Sequence, residues 1–187
     1  ALQVLGAELE GTVVLHDLSE RARRLSFRVD RADPGAGGPI LTDYKTGKRP
    51  GDSPAQFPRE IAAGRFLQAG ADLAAAAPHG RARYLQLGPD EERGGLYEPE
   101  DPEAARAAFA GVAALLFEGW AAGLFPPRVV EPDRNQEPRA CADCDVREAC
   151  VRGDSGQRRR LFEWGAPTVD QPPEPDLARR LVRFASE

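Results

Sequence analysis

The sequence predicts an α/β domain in which a small mixed sheet of four strands is flanked by helices. Three observations indicate this architecture. Apolar and polar residues alternate with a period of two in several short segments. A turn rich in proline and glycine joins two of these segments. Two alanine-rich segments with helical spacing of apolar residues follow later in the chain. We expect the first three strands to form an antiparallel meander and the fourth strand to return beside the central strands.

The second and third strands are predicted on either side of this turn. Residues 25–30 alternate Leu, Phe and Val with polar residues, which gives the second strand one apolar face. Residues 34–39 cannot continue a strand and reverse the chain into a third strand over residues 40–45. On that third strand Asp43 and Lys45 lie two residues apart and therefore share a face.

The other elements of the first half follow from the same patterns. A first strand is predicted over residues 2–15, with a bulge at Gly11. One helix is predicted over residues 59–77, and residues 81–87 alternate and form the fourth strand. Residues 88–100 are expected to be a loop.

The last third of the chain is helical around a cysteine-containing extension. A long alanine-rich helix is predicted over residues 101–122, and a short amphipathic helix over residues 177–184. A proline-punctuated connector separates the long helix from the cysteines. We therefore expect three parts, which are a core over residues 1–138, a cysteine segment over 139–160 and a C-terminal arm over 161–187.

The composition is that of a soluble globular protein. Hydrophobic residues make up 41% and charged residues 29% of the 187 residues. No apolar run approaches the roughly 20 residues that span a bilayer, so we expect a cytoplasmic protein without a membrane partner. The net charge of -5 argues against a broad basic surface for nucleic acid. Because the chain contains no methionine, we expect that a segment precedes Ala1.

Asp30, Asp43 and Lys45 are the candidate catalytic residues. Charged residues on an otherwise apolar strand are costly unless they are paired or bound to a metal. The two carboxylates supply the hard oxygen ligands that Mg²⁺ or Mn²⁺ prefers, and the carbonyl of Tyr44 can add a neutral oxygen. Lys45 can stabilise charge on a phosphate or lower the pKa of an attacking water. The alternative is a surface hairpin in which Asp43 and Lys45 form an ordinary solvated ion pair.

All three cysteines form one motif, C-x2-C-x5-C, at Cys141, Cys144 and Cys150. In a cytoplasmic protein this clustering favours a metal over disulfides. Three thiolates do not complete a tetrahedral zinc site or a four-iron cluster, each of which takes four ligands. The open alternatives are a fourth ligand such as Asp143 or Asp145, a degenerate cluster, zinc, and free thiols.

These motifs resemble those of the PD-(D/E)XK nucleases, and specifically of their RecB-like exonuclease branch. The resemblance is carried by Arg-Val-Asp-Arg at residues 28–31 and Asp-Tyr-Lys-Thr-Gly at residues 43–47. In that branch the following helix carries a glutamine, which Gln68 matches, and a tyrosine four residues later, where this chain has Asp72. The cysteine spacing is similar to that of the iron–sulfur members, such as AddB-type helicase-nuclease subunits and CRISPR-adaptation exonucleases. The resemblance covers residues 7–150.

The resemblance implies a restriction-endonuclease-like core and metal-dependent hydrolysis of DNA, as an exonuclease on single-stranded ends. Asp30, Asp43 and the Tyr44 carbonyl would bind Mg²⁺ or Mn²⁺. Lys45 would assist the attacking water or the phosphate, and Gln68 would position the DNA strand. The implied partners are single-stranded DNA and a helicase subunit or domain, within a larger helicase-nuclease or repair protein.

The resemblance also implies that the cysteines at 141, 144 and 150 hold a 4Fe-4S cluster. In the family the fourth cysteine precedes the nuclease motifs, and a helix before them contributes a metal-binding histidine or acid. This sequence contains neither feature, so we expect both in a segment before Ala1 or in another chain. Two rival interpretations stay open. One is a non-catalytic DNA-binding or scaffolding module that keeps the fold, and the other is a zinc module unrelated to nucleic acid.

Overall fold

The fold is seen in a computed structural model. It describes residues 4–46, 54–76, 78–88, 94–127, 139–151, 154–166 and 176–186. The chain divides into two compact units, Ala1–Ala114 and Leu115–Glu187. The first unit contains a mixed sheet flanked by helices, and the three cysteines lie in the second unit. The predicted α/β class with a cysteine-containing C-terminal region is therefore confirmed.

Within the described residues the sheet has five strands, which lie side by side in the order of the chain. The strands are β1 Gly6–His16, β2 Ala22–Pro34, β3 Pro39–Lys45, β4 Arg81–Gln86 and β5 Gly95–Tyr97. The pairs β1–β2, β2–β3 and β4–β5 are antiparallel, whereas β3 and β4 are parallel. The predicted meander and the fourth strand returning beside it are confirmed. The predicted total of four strands is wrong by one.

Two local predictions about the strands are wrong. The segment predicted as a loop over residues 88–100 contains β5, whose Tyr97 pairs with the edge of β4. Three residues are too few to show alternation, so only the pairing with β4 defines this strand. Gly11 forms no bulge, because it pairs in regular register with Phe27. A Cβ at Gly11 would lie 2.6 Å from the Phe27 ring, so the glycine makes room for that ring.

The turn between β1 and β2 is organised by Asp17, whose side chain is buried. Its carboxylate accepts hydrogen bonds from the backbone N–H groups of Ser19 and Arg21 and from the Nε atoms of Arg21 and Arg23, at 2.9 to 3.0 Å. Burial acts to raise the pKa of Asp17. The hydrogen bonds from Arg21, Arg23 and Ser19 together outweigh burial and lower that pKa to about 2.

The single helix predicted over residues 59–77 is two helices. After a short 3₁₀ turn at Pro54–Gln56, α1 spans Phe57–Ala62 and α2 spans Leu67–Ala75. The chain breaks between them because Gly64 and Phe66 have φ angles of 75° and 53°. The break lets the Phe66 ring pack 5.7 Å from Phe57 and 6.3 Å from Tyr84, measured between ring centroids. An alanine-rich composition favours helix on both sides and gives no sign of this packing.

Helix α3 spans Pro102–Ala122, as predicted, and its first half packs in the first unit. Phe109 covers Gly70 of α2, where a Cβ would lie 2.4 Å from the aromatic ring. Arg106 donates hydrogen bonds to the carbonyls of Leu73 and Gly80, just after which β4 begins. These contacts fix α2 against the sheet. Among the described residues, α3 is the one helix long and apolar enough to cross a membrane, although Phe109 is buried in the core.

The second unit is helical. Helix α4 spans Arg139–Ala142, α5 spans Ser155–Gly165 and α6 spans Leu177–Ser186. The C-terminal helix was predicted, whereas α5 was not, because its sequence is mostly polar and arginine-rich. Asp154 caps α5 by accepting a hydrogen bond from the Gln157 N–H at 2.8 Å. Helix α6 packs on α5, where Val182 fills the space left open by Gly165.

Candidate active site

The pairing of β2 with β3 brings the two predicted catalytic aspartates to the same place. Arg31 pairs with Thr42, so Asp30 and Asp43 lie at the next position along each strand. The side chains of Asp43 and Lys45 share one face of β3 because they are two residues apart. Helix α2 packs on β2 and β4 and carries Gln68 to this face.

Asp43, Lys45 and Gln68 form a closed set of contacts. Asp43 is 5% exposed, and its Oδ1 accepts a hydrogen bond from Gln68 Nε2 at 2.9 Å. Lys45 Nζ donates to Gln68 Oε1 at 2.7 Å and forms an ion pair with Asp43 Oδ2. The glutamine therefore bridges the acid and the lysine. The structure brings these three predicted residues together, and their catalytic roles stay a prediction.

Asp30 is held next to this set by the backbone of β3. Its Oδ2 accepts a hydrogen bond from the Tyr44 N–H at 2.6 Å. Tyr44 is 37% exposed. Because side chains alternate along a strand, its side chain lies on the opposite face of the sheet from that of Asp43. The Tyr44 carbonyl as a metal ligand stays a prediction. Gly47, the last residue of the predicted Asp-Tyr-Lys-Thr-Gly motif, lies outside the described residues.

Tyr84 closes the apolar side of the site. It lies on β4 beside Asp43 and is 3% exposed. Its hydroxyl accepts a hydrogen bond from the Ala69 N–H at 2.8 Å, and Lys45 Nζ lies 5.0 Å from the centre of its ring. Burial raises the pKa of Tyr84, so its hydroxyl stays neutral. The ring shields one side of the Lys45 ammonium from water and strengthens its electrostatic interactions.

Asp72 is a residue of this site that the sequence did not identify as functional. It lies one helical turn after Gln68, on the same face of α2, and is 3% exposed. Its Oδ1 is buried without a hydrogen-bond partner among the described residues. Burial, and next the negative charge of Asp43, raise the pKa of Asp72 to about 7, while Lys45 acts to lower it. The spacing of four residues from Gln68 was visible in the sequence, but the burial was not.

The carboxylates suit a divalent cation by their chemistry. Asp30, Asp43 and Asp72 offer oxygen donors on one side of the sheet, and an unpartnered buried oxygen such as Asp72 Oδ1 favours a nearby positive charge. Within the described ranges, however, no three His, Cys, Asp or Glu side chains are grouped so that all could ligate one ion. The donor set therefore fits a cation bound by one or two carboxylates and by water, as is usual for Mg²⁺.

The three cysteines are not gathered into a metal site either. Cys141, Cys144 and Cys150 are partly exposed and form no disulfide. The part of the chain that the structure describes contains no group of three such ligands, and this includes the cysteines. The predicted iron–sulfur cluster is therefore without support from the structure.

Comparison with known proteins gives the family of this arrangement. The family model of the PD-(D/E)XK nuclease superfamily matches residues 2–151. No curated protein matches the chain significantly. A solved structure described as "Crystal structure of SSO0001" is 16% identical with a TM-score of 0.48, and the match covers 78% of this chain and 59% of that one. Since the family model spans most of the sequence and includes Asp30, Asp43, Lys45 and Gln68, this chain belongs to the PD-(D/E)XK nuclease superfamily.

Proposed function

We propose that this chain is a metal-dependent DNA nuclease domain. The observation that carries the proposal is the contact set of Asp43, Lys45 and Gln68 beside Asp30, in a chain of the PD-(D/E)XK superfamily. That superfamily implies phosphodiester hydrolysis, and its members generally use divalent metals. Such a reaction uses carboxylates to hold the cation and a positive side chain near the phosphate, and this site offers both.

The carboxylates of Asp30 and Asp43 would hold Mg²⁺ or Mn²⁺, with the Tyr44 carbonyl as a neutral ligand. When bound, the cation supplies a more acidic water and offsets negative charge on the phosphate. The Tyr44 N–H keeps Asp30 Oδ2 fixed beside β3, and Gln68 Nε2 keeps Asp43 Oδ1 fixed on its other side. The chain thus orients both carboxylates before substrate arrives, which reduces the reorganisation that binding requires.

Lys45 would stabilise the phosphate or the attacking water. Gln68 Oε1 accepts a hydrogen bond from Nζ, which also forms an ion pair with Asp43, so an ammonium with three N–H donors has one left for a substrate oxygen. The Lys45 side chain is 35% exposed, so a phosphate oxygen can reach it. In this arrangement Gln68 acts first on the protein groups, by orienting Asp43 and Lys45. Gln68 would therefore position the DNA strand indirectly, through the positions of Asp43 and Lys45.

We further propose the RecB-like branch and exonuclease action on single-stranded ends, within a larger cytoplasmic helicase-nuclease or repair protein. The support is the order of the motifs at residues 28–31 and 43–47, followed by Gln68. The spacing of the cysteines at 141, 144 and 150 supports a 4Fe-4S cluster, with a fourth ligand that the described residues do not provide. The corresponding division is a nuclease core over residues 1–138, a cluster segment over 139–160 and an arm over 161–187.

A second candidate is a non-catalytic DNA-binding module with the same fold. The observation that favours it is the engagement of Asp43, since both of its oxygens contact protein groups. The net charge of -5 repels DNA and therefore weakens DNA binding by either candidate.

Incubation with end-labelled DNA separates the two candidates. Linear and circular single strands are treated with the full chain in Mn²⁺, in Mg²⁺ or in EDTA. The nuclease proposal predicts loss of linear DNA with a cation, intact circles and no reaction in EDTA. Asp43→Ala and Lys45→Ala should each lower the rate by about 100-fold or more, while Glu163→Gln, a charge change of equal size on α5, should not. Linear DNA that is shifted on a native gel but stays intact in every cation would support the binding module.

A further inference from the structure

Asp72 is a buried carboxylate for which the proposed reaction gives no reason. Its residue is 3% exposed, and Oδ1 has no hydrogen-bond partner among the described residues. Burying a charged or polar group without a partner costs free energy. A purely structural position of this kind would be filled as well by an amide or an apolar side chain of similar size.

The helix places this carboxylate beside the candidate active site. Gln68, four residues earlier on the same face of α2, reaches Asp43 at 2.9 Å and Lys45 at 2.7 Å. Asp72 is therefore one turn further along the face that contacts the site.

We propose that Asp72 is a third carboxylate of the divalent-cation site formed by Asp30 and Asp43, and that it holds a water of the cation instead of the cation itself. This inference rests on the proposed function. Mg²⁺ and Mn²⁺ bound by one or two carboxylates keep several waters, whose O–H groups need acceptors. A buried carboxylate oxygen without another partner is such an acceptor, and its charge adds to the attraction for the cation.

An indirect role agrees with the spacing of the ligands. Within the described residues no three acidic, histidine or cysteine side chains are close enough together to ligate one ion. Asp72 is accordingly a positioning residue. Groups that act on a metal through its other ligands typically contribute about 10- to 100-fold to metal affinity.

Calorimetric titration of the full chain with Mn²⁺ alone, without DNA, tests this role. We expect Asp72→Asn to raise the Kd for Mn²⁺ by about 10- to 100-fold. The control Glu163→Gln removes the same charge from the surface of α5 and should leave the Kd unchanged, because Glu163 is exposed and pairs with Arg159. Asp72→Asn is isosteric and should melt at or above the wild-type temperature without cation, since a buried amide costs less than a buried carboxylate.

The outcomes distinguish the role of Asp72 from the existence of the cation site itself. Equal Kd values for the wild type and Asp72→Asn would overturn the role of Asp72, even if the variant cleaved DNA slowly. Asp72→Glu keeps the charge and should bind Mn²⁺ more tightly than Asp72→Asn, so equal losses in both variants would also overturn the inference. A wild-type chain that binds no Mn²⁺ would instead refute the proposed cation site, and the inference would fall with it.

Discussion

The contact between Lys45 and Asp43 makes a prediction about stability that does not depend on any activity. The substitution Lys45→Met removes the ammonium and keeps a side chain of similar length. Asp43, which is 5% exposed, then loses its ion-pair partner and, among the described residues, keeps the hydrogen bond from Gln68 at 2.9 Å. Because the carboxylate stays buried, the loss should appear in the free energy of unfolding.

The expected size follows from the exposure of the two partners. Breaking a fully buried ion pair costs about 3–5 kcal/mol. Here the Lys45 side chain is 35% exposed, so water screens part of the interaction, and Gln68 Nε2 still donates to the carboxylate. A buried acceptor that loses a charged donor costs about 1–3 kcal/mol, and we expect Lys45→Met to lie in this range.

Urea denaturation in EDTA measures this loss. The matched control is Arg28→Met, which breaks the pair of Arg28 with Glu8, whose side chains are 62% and 58% exposed. The control should leave stability nearly unchanged, because an ion pair between two exposed side chains is screened by water. Asp43→Asn in the Lys45→Met background should recover most of the loss, because the uncompensated charge is gone. If Lys45→Met and Arg28→Met are equally stable, the reasoning about the buried pair is wrong.

The remaining predictions concern the β1–β2 turn and the packing of α2 against α3. Since the pKa of Asp17 is lowered from 3.8 to about 2, its contribution to stability is present above about pH 4 and is lost as the pH falls through about 2. Urea midpoints of the wild type and Asp17→Asn should therefore differ at neutral pH and converge in acid, and a constant difference would contradict the assignment. Gly70→Ala places a Cβ 2.4 Å from the Phe109 ring and should destabilise the fold by about 1–3 kcal/mol in thermal melts. For Gly111→Ala, no atom of the described residues lies within 4 Å of the added Cβ, so this variant should be neutral or stabilising. Equal melting temperatures for Gly70→Ala and Gly111→Ala would contradict the packing of Phe109 on Gly70.

The central part of the site was predictable from the sequence because it depends on local geometry. Period-two alternation alone places Asp43 and Lys45 on one face of a strand. The turn over residues 34–39 makes the strand that carries Asp30 the antiparallel neighbour of the strand that carries Asp43 and Lys45. These two facts bring Asp30, Asp43 and Lys45 together with no knowledge of the rest of the fold, whereas Gln68 reaches them through the packing of α2 on the sheet.

The parts that were missed depend on contacts between distant segments. The break between α1 and α2 is stabilised by packing of Phe66 on Phe57 and Tyr84, which no helical propensity reveals. Strand β5 exists through its pairing with β4. In the sequence Asp72 looks like an ordinary polar residue of an amphipathic helix, and only the packing of α2 on the sheet shows that it is buried.

The most direct test of the proposed centre is the binding of Mn²⁺, followed by the electron paramagnetic resonance signal of the free ion. We expect the wild-type chain to remove Mn²⁺ from solution at a site that Asp30→Asn and Asp43→Asn each weaken strongly, while Glu163→Gln leaves it intact. Equal Mn²⁺ binding by the wild type and Asp43→Asn would show that the cation binds elsewhere, and would contradict the assignment of Asp43 as its ligand.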